Sequence, residues 1–305
     1  MRLCAISVDL DEIPNYAAIH GVTLDRVNPT AVYDIAVQRL LRWAHSRGVR
    51  LTLFAVAADL RREQNARQLV QAREAGHEIA NHSLDHWYDL SRRSRAEMYV
   101  QVKGGADLIA EKVGVRPAGF RAPGYTVSDN LYDTLLEAEV QYSSSVFPCP
   151  AYYGLKTAAI IAKRLRGRQS RSLIDDPRVL TAPAQPYWVG DPYWQRGDRL
   201  LELPIQTTPW LRLPFIGTSV TLGGEWLARA MARQLTNQPL VNLELHGLDV
   251  LDAADGLEQL RPLQPDVRRS VDKKLAALDV VVETLRDAGY AFVPLQRAAD
   301  ALRAA

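Results

Sequence analysis

The sequence has few of the features that mark specialised protein classes. Only two of its 305 residues are cysteines, Cys4 and Cys149, which excludes a disulfide framework and favours a reducing compartment. The 37 basic side chains nearly balance the 35 acidic ones, and a formal net charge of +2 argues against a nucleic-acid partner. The 47% share of hydrophobic residues is ordinary for a globular protein and excludes disordered or collagenous chains.

Long uninterrupted apolar runs are also absent. The first apolar run ends at Asp9, which is too early for a signal peptide with its cleavage site. No stretch of about 18 uncharged apolar residues occurs, so the sequence predicts no transmembrane helix. We therefore expect a soluble, cytoplasmic protein.

Strands and helices alternate in the predicted secondary structure, which favours parallel strands joined by crossover helices. Strands are predicted at 2–9, 49–56, 77–80, 115–120, 140–147, 200–205, 240–245 and 290–294. Seven or eight strands predict an α/β barrel formed by one domain over residues 1–305. The competing open, doubly wound sheet is disfavoured because no glycine-rich phosphate motif follows the first strand.

Residues 148–198 interrupt this alternation and are rich in proline and aromatic side chains, which predicts a long insertion. Six basic side chains accompany a short apolar run within it: Lys156, Lys163, Arg164, Arg166, Arg168 and Arg171. A basic amphipathic helix of this kind suits an anionic membrane or a phosphate, although a solvated helix face has the same composition. A second apolar stretch, 210–216, suits either a lipid tail or core packing.

Polar side chains follow four of the predicted strands. In chain order these side chains are Asp9, Asp11, His82, His86, Arg121 and His246. The carboxyl ends of barrel strands converge on one face, where active sites of such folds lie. Each motif alone has an ordinary structural explanation, such as a polar turn or a surface histidine. Their joint occurrence at four strand ends favours a catalytic site.

The residue types indicate the chemistry of that site. The H-x-x-x-H spacing of His82 and His86 places two imidazoles on one side of a helical turn. Two imidazoles and one carboxylate form a zinc-type site that leaves a position open for water. A strand period of two puts Asp9 and Asp11 on the same side, and which of them is the ligand stays open. A histidine such as His246 titrates near neutrality, as a general acid requires.

The strings SVDLDE, NHSLDH, FRAPGY and LELHGLD resemble the motifs of the polysaccharide deacetylase family, also called NodB-homology or carbohydrate esterase family 4 proteins. They follow the family's order from Asp9 to His246. The resemblance implies a distorted (β/α)7-8 barrel with a divalent metal. It also implies hydrolysis of an N-acyl group, usually acetyl, from an amino sugar.

The resemblance further implies a role for each matching position. The metal ligands would be Asp11, His82 and His86, and this donor set suits zinc foremost, with cobalt, nickel or manganese as alternatives. Asp9 would be the general base, Arg121 the residue that orients it, Tyr125 an oxyanion-hole donor through its N–H, and His246 the general acid. The family's aspartate–tryptophan motif has no clear match, which leaves Glu202 or Asp249 as candidates to tune His246.

We therefore expect a metal-dependent N-deacetylase acting on an amino sugar, linked to a lipid or nucleotide carrier, with peripheral membrane contact as one possibility. The alternatives are a deformylase or cyclic-amide hydrolase of the same superfamily, and a non-catalytic, metal-dependent sugar-binding protein. Asp9 and His246 argue against the binding protein because binding alone needs neither a base nor an acid. The oligomeric state does not follow from the sequence.

Overall fold

A curled sheet sets the architecture of the protein. The computed structural model describes residues 2–20, 25–165 and 176–304. Within these ranges the strands are β1 (Arg2–Asp9), β2 (Leu51–Ala55), β3 (Glu78–Asn81), β4 (Gly119–Phe120), β5 (Tyr142–Ser143), β6 (Tyr187–Val189), β7 (Arg196–Glu202), β8 (Leu240–His246) and β9 (Tyr290–Phe292).

The strand order is β6-β7-β5-β4-β3-β2-β1-β8, and β9 pairs with the first half of β1. All pairs are parallel except β6 with β7. The chain that follows β7 approaches β8, where the Gln206 N–H donates to the Asn242 carbonyl at 3.2 Å. The sheet is thus a distorted, incompletely closed barrel, and the predicted fold class is confirmed.

Nine described helices pack against this sheet. They are α1 (Ile13–His20), α2 (Gln38–Arg47), α3 (Glu63–Glu74), α4 (Arg95–Val113), α5 (Asp129–Glu137), α6 (Pro150–Leu165), α7 (Gly217–Gln234), α8 (Val271–Asp287) and α9 (Leu295–Arg303). A π-helical segment, Val32–Val37, leads into α2. None of the described helices is long and apolar enough to cross a bilayer.

All eight predicted strands are present, but two of them are much shorter than predicted. The run 140–147 contributes only β5, because the N–H groups of Ser145 and Val146 donate to the Glu202 carboxylate at 2.7 and 2.8 Å. A backbone that bonds to a side chain is not part of a strand ladder. The antiparallel edge strand β6, within the predicted insertion, was not predicted from the sequence.

The insertion also contains α6, which begins at Pro150. Of the basic side chains predicted there, Lys156 is described. Arg166, Arg168 and Arg171 lie outside the described residues, as do the side chains of Lys163 and Arg164.

Strand β1 shows how the sequence separates the two sides of the sheet. Its alternate side chains Cys4, Ile6 and Val8 pack in the main core under the helices, whereas Leu3 and Ala5 pack in a second cluster inside the barrel. Leu295, Ala298 and Ala299 of α9 fill the same interior cluster. Helix α9 therefore closes the amino-terminal end of the barrel. The next inward-facing residues of β1, Ser7 and Asp9, are polar and lie toward the carboxyl-terminal end of the barrel.

Ser128 provides a direct test of how the sequence defines a helix end. Its hydroxyl accepts a hydrogen bond from the Leu131 N–H at 3.2 Å and caps α5. We expect Ser128→Ala to lower the free energy of unfolding by about 1 kcal/mol, because that N–H loses its partner. Ser128→Asn, which keeps a capping acceptor, should retain most of the stability in urea unfolding. Equal losses in both variants would contradict the capping role.

Candidate active site

The carboxyl ends of the central strands bring the predicted side chains together. Asp9 ends β1 and lies directly opposite His246, which ends the neighbouring strand β8. His82 follows β3 and Arg121 follows β4, so both enter the same end of the barrel. Parallel strands make this convergence unavoidable, because their carboxyl ends share one edge.

Asp11, His82 and His86 form a compact, buried triad. The Asp11 oxygens Oδ1 and Oδ2 lie 3.2 Å from His82 Nε2 and 3.2 Å from His86 Nε2, respectively. The candidate ligand atoms of all three residues lie within 4.8 Å of one another. Among the described residues, Asp11 Oδ1 and both His86 ring nitrogens are buried without a hydrogen-bond partner. Buried polar atoms without partners are costly, and a cation bound between Asp11 Oδ1 and His86 Nε2 would satisfy those two atoms.

The second nitrogen of His82 orients its ring. His82 Nδ1 lies 2.8 Å from the backbone carbonyl of Arg121, so the tautomer that fits carries its proton on Nδ1. The lone pair of Nε2 then faces Asp11, as metal-ligating histidines require. Burial alone would raise the pKa of Asp11, but the adjacent imidazoles of His86 and His82 hold it well below its usual range. The triad therefore presents one anionic oxygen donor and two nitrogen donors.

The H-x-x-x-H pair does not lie on a helical turn, and that prediction was wrong. Residues 82–86 form a loop in which Ser83 (φ 70°) and His86 (φ 55°) adopt the left-handed region. Such backbone is strained for residues with side chains and persists when the surroundings hold it. Here the His86 N–H donates to the Ser83 hydroxyl at 3.0 Å, and the Leu84 N–H donates to the Gln101 carbonyl at 2.9 Å. Contacts with α4 thus bring the two imidazoles together.

Asp9 is held by a different partner from Asp11. Arg121 Nη1 donates to Asp9 Oδ1 at 2.6 Å, and both side chains are buried. The remaining guanidinium donors bond to the Ser7 hydroxyl (2.9 Å), the Ser144 hydroxyl (2.8 Å) and the Ser144 carbonyl (2.7 Å). The Phe54 ring lies 4.1 Å from the guanidinium carbon. The neighbouring charges therefore distinguish the two aspartates: Asp9 pairs with arginine, and Asp11 pairs with histidines.

His246 pairs with a carboxylate that the sequence analysis missed. Its Nδ1 lies 2.8 Å from Oε1 of Glu244, which is fully buried on the same strand. Burial would lower the pKa of His246, but the Glu244 carboxylate raises it well above its usual value. The imidazolium is consequently favoured. The strand period of two in LELH places Glu244 and His246 on one face, and this signal would have identified the partner.

The two acidic residues suggested from the sequence as partners of His246 have other contacts. Glu202 accepts from the Tyr132 hydroxyl at 2.9 Å and from two backbone N–H groups. Asp249 accepts from the backbone N–H of His246 at 2.8 Å and does not contact the ring. The suggestion that Glu202 or Asp249 tunes His246 is therefore wrong, because the carboxylate next to the imidazole belongs to Glu244.

Tyr125 lies in a strained turn beside these groups. Gly124 and Tyr125 both have positive φ, 65° and 58°. The Tyr125 N–H donates to the Ala122 carbonyl at 3.1 Å, and its hydroxyl lies 3.4 Å from His246 Nε2. The turn therefore directs the phenol toward the site, while the backbone N–H has a partner of its own.

A cavity of about 280 Å³ opens over these residues. Asp9, Asp11, His82 and His246 form its polar part, and its walls are mainly apolar. One wall comes from α1 and another from α6, with further apolar contributions from the chain before α7: Tyr16, Ile19, Tyr152, Leu155, Pro214 and Ile216. The volume approaches the lower end of the range for small-molecule sites.

Comparison with known proteins finds similar sequences over part of the chain. The family model for polysaccharide deacetylase matches residues 24–143. A peptidoglycan-N-acetylglucosamine deacetylase from Bacillus cereus is 31% identical over 130 residues, which are 43% of this chain and 57% of that protein. The chain thus spans little more than half the length of this curated relative. The predicted resemblance is confirmed over this part of the chain: residues 24–143 are similar to the polysaccharide deacetylase family.

The fold is shared more widely than the sequence. The crystal structure of a candidate polysaccharide deacetylase from Mycobacterium smegmatis superposes with a TM-score of 0.62 at 19% identity. The match covers 99% of this chain and 91% of that one. At this level of identity the likeness shows the fold alone.

Two adjacent glycines of α4 test how the histidine loop is held. A Cβ atom on Gly105 would lie 2.6 Å from Asn81 Oδ1 and 3.0 Å from the Ser83 backbone, whereas one on Gly104 would make ordinary contact with Leu84 at 3.5 Å. We expect Gly105→Ala to displace the loop and lower both stability and divalent-metal affinity. Gly104→Ala should be neutral or stabilise the protein by about 0.5–1 kcal/mol, because alanine favours helix. Urea unfolding and metal titration of both variants would check this, and matched behaviour would contradict the close packing.

Proposed function

We propose that this protein is a metal-dependent hydrolase that removes an N-acyl group, acetyl foremost, from an amino sugar. The observation that carries the proposal is the arrangement of three sets of groups around one cavity: Asp11 with two histidines, Asp9 with Arg121, and His246 with Glu244. Hydrolysis of an amide needs an activated water, a base and an acid for the leaving nitrogen. The Bacillus cereus relative is a peptidoglycan-N-acetylglucosamine deacetylase, which supports the same chemistry.

The proposed metal ligands are Asp11, His82 and His86. Their unsatisfied buried atoms and the orientation of His82 fit a divalent cation. Zinc is our first choice, and cobalt, nickel or manganese would accept the same donors. When bound, such an ion would polarise the acyl oxygen and lower the pKa of a bound water.

Asp9 is the proposed general base. Its Oδ1 is engaged by Arg121, while its Oδ2 lies 3.7 Å from His82 Nε2, beside the proposed metal site. The guanidinium fixes the orientation of the carboxylate. Asp9 can therefore take the proton from an attacking water, and Arg121 acts as a positioning residue.

His246 is the proposed general acid. One carboxylate oxygen of Asp9, one of Glu244 and one ring nitrogen of His246 lie within 4.8 Å of one another. The proposed acid, His246, is therefore close to the proposed base, Asp9. The raised pKa of His246 keeps the imidazole protonated at neutral pH, ready to donate to the leaving amine. Glu244 is the positioning residue that holds this charge. For Tyr125 to donate its N–H to the oxyanion, that N–H would have to be shared with the Ala122 carbonyl.

The residues that line the cavity indicate which substrate it can hold. Tyrosine rings such as Tyr16 and Tyr152 offer faces on which a sugar ring packs, and the volume suits one acylated monosaccharide unit. We propose that the unit is linked to a lipid or nucleotide carrier. We further propose a cytoplasmic location, with which the buried free thiols Cys4 and Cys149 agree. Fractionation of cells that express the full chain would test the location.

A panel of free and carrier-linked N-acyl amino sugars, incubated with zinc-loaded protein, tests the activity. Release of acetate, with the matching mass loss of the sugar, is the expected result. Formate release would favour a deformylase, and a gain of one water without release would favour a cyclic-amide hydrolase. Tight sugar binding without turnover of any member of the panel would favour the non-catalytic alternative.

Substitution of the base and of a ligand separates the two proposed roles. We expect Asp9→Asn to keep its zinc and to lose about 10²–10⁴ in turnover, because only proton transfer is removed. His82→Ala should lose both zinc and turnover. Metal content by mass spectrometry checks this, with exposed His45→Ala as a control histidine. Equal metal content in the Asp9 and His82 variants would contradict the assignment.

The pH dependence tests the pairing of Glu244 with His246. A general acid works only while protonated, so kcat/KM should fall as the pH rises through the pKa of His246. Glu244 raises that pKa, and Glu244→Gln should therefore move the alkaline limb to lower pH. Asp249→Asn serves as the control, because the Asp249 carboxylate accepts from the backbone N–H of His246 and, among the described residues, forms no ion pair with its ring. An unmoved alkaline limb in Glu244→Gln would refute the pairing as the source of the raised pKa.

A further inference from the structure

A second, open pocket of about 440 Å³ lies between the start of α8 and the first half of α7. It is lined by two arginines, a lysine, a serine and two apolar side chains: Arg268, Arg269, Lys273, Ser270, Leu222 and Pro265. Among the described residues that line it there is no acidic side chain. We call this cavity the basic pocket.

The cations of the basic pocket have no carboxylate partner. Within the part of the chain that the structure describes, Arg268, Arg269 and Lys273 form no ion pair, whereas the nearby Arg261 pairs with Glu258 at 3.8 Å. A single unpaired cation on a protein surface is ordinary. Three around one pocket repel each other, and a bound anion would offset that repulsion.

Backbone carbonyls hold both guanidinium groups at the pocket. Arg268 donates through Nε and Nη2 to the carbonyls of Arg261 and Pro262 at 2.8 and 2.9 Å. Arg269 Nη1 donates to the Leu222 carbonyl at 2.8 Å, and among the described residues its buried Nε has no partner. Neutral carbonyls fix these side chains but leave their charge uncompensated and some of their donors unused. The pocket is therefore preorganised for an anion that accepts several hydrogen bonds, as phosphate does.

The amino terminus of α8 does not provide this site. The Val271 N–H at the start of the helix donates to the Asp252 carboxylate at 2.9 Å, so Asp252 already takes this place. The Ser270 hydroxyl forms no capping hydrogen bond and can donate to a ligand in the pocket. An anion in the basic pocket would thus be bound by side chains.

Helix α7 connects the basic pocket with the cavity of the candidate active site. Thr218 and Ser219, in the first turn of α7, line that cavity, and Leu222 lines the basic pocket. Residues four apart on a helix are separated by about 6 Å along its axis. A group attached to a sugar unit in the active-site cavity is therefore within reach of the basic pocket.

We propose that the basic pocket binds the phosphate or pyrophosphate that joins the amino sugar to its carrier. Two guanidinium groups and one ammonium match the charge and the acceptor oxygens of such a group, whereas a neutral oligosaccharide would leave them uncompensated. This inference rests on the proposed function, because it gives the carrier of the proposed substrate a place on the protein.

Titration calorimetry tests the pocket without turnover. The zinc-loaded full chain is titrated at low ionic strength with inorganic phosphate and with a nucleoside-diphosphate-linked N-acetyl amino sugar. We expect Arg268→Gln/Lys273→Gln to weaken both affinities about tenfold. The matched control is Arg229→Gln/Arg233→Gln, which removes the same charge from exposed positions of α7 that do not line the pocket. Equal affinities in the two double variants, or no phosphate binding by the wild type, would overturn the inference.

Turnover shows whether the bound phosphate belongs to the substrate. We compare kcat/KM for nucleotide-linked, lipid-diphosphate-linked and free N-acetyl amino sugars, with circular dichroism to show that each variant is folded. The ratio of linked to free sugar should fall about tenfold in Arg268→Gln/Lys273→Gln but not in the control, and the carrier whose ratio falls is the one that the pocket recognises.

The outcomes separate this inference from the proposed function. Weaker phosphate binding with an unchanged ratio would assign the pocket to an anion other than the substrate, and would overturn the inference while the deacetylase activity stands. Absence of turnover with every sugar would refute the proposed hydrolysis alone, because the titrations with phosphate and with the linked sugar do not require it.

Discussion

The buried contact between Arg121 and Asp9 underlies the organisation of this site. A guanidinium inside a barrel is tolerated only when its donors are satisfied, and here Ser7, Ser144 and Asp9 together satisfy them. These partners come from β1 and from the chain after β5, so the arginine joins strands that lie far apart in the sheet order. Because Asp9 pairs with Arg121, only Asp11 is available to His82 and His86.

The division between the two aspartates depends on where their neighbours lie. Asp9 ends β1 and points inward, where arginine is available, whereas Asp11 lies beyond the strand end and meets His82 and His86. His246 stands opposite Asp9 in the pairing of β1 with β8, and Glu244 supplies its counter-charge from the same strand. A single parallel pair of strands therefore carries both a candidate base and a candidate acid.

The sequence predicted what depends on periodicity and on strand order. Eight strands, the barrel class and the convergence of six polar residues follow from buried runs and from the rule that parallel strands end at one edge. The sequence-based predictions failed where a side chain, rather than a neighbouring strand, is the hydrogen-bond partner of the backbone. Glu202 ends the ladder at β5, and contacts with α4 set the left-handed residues that bring His82 and His86 together. Such contacts join residues distant in sequence, and no local pattern encodes them.

The partner of His246 is a different kind of omission. The strand period of two along β8 places Glu244 beside His246, so this pairing does follow from a local pattern. The same period of two places Asp9 and Asp11 on one side of β1, and it does not by itself distinguish the ligand from the base.

The helix that fills the barrel interior also affects how the chain can fold. Leu3 and Ala5 of β1 are covered by Leu295, Ala298 and Ala299 of α9, some 290 residues further along the chain. Contacts over such separations form late, because closing so long a loop is entropically unfavourable. During synthesis, β1 is made long before α9, so its inward face stays uncovered until α9 follows, and an uncovered apolar face is prone to aggregation.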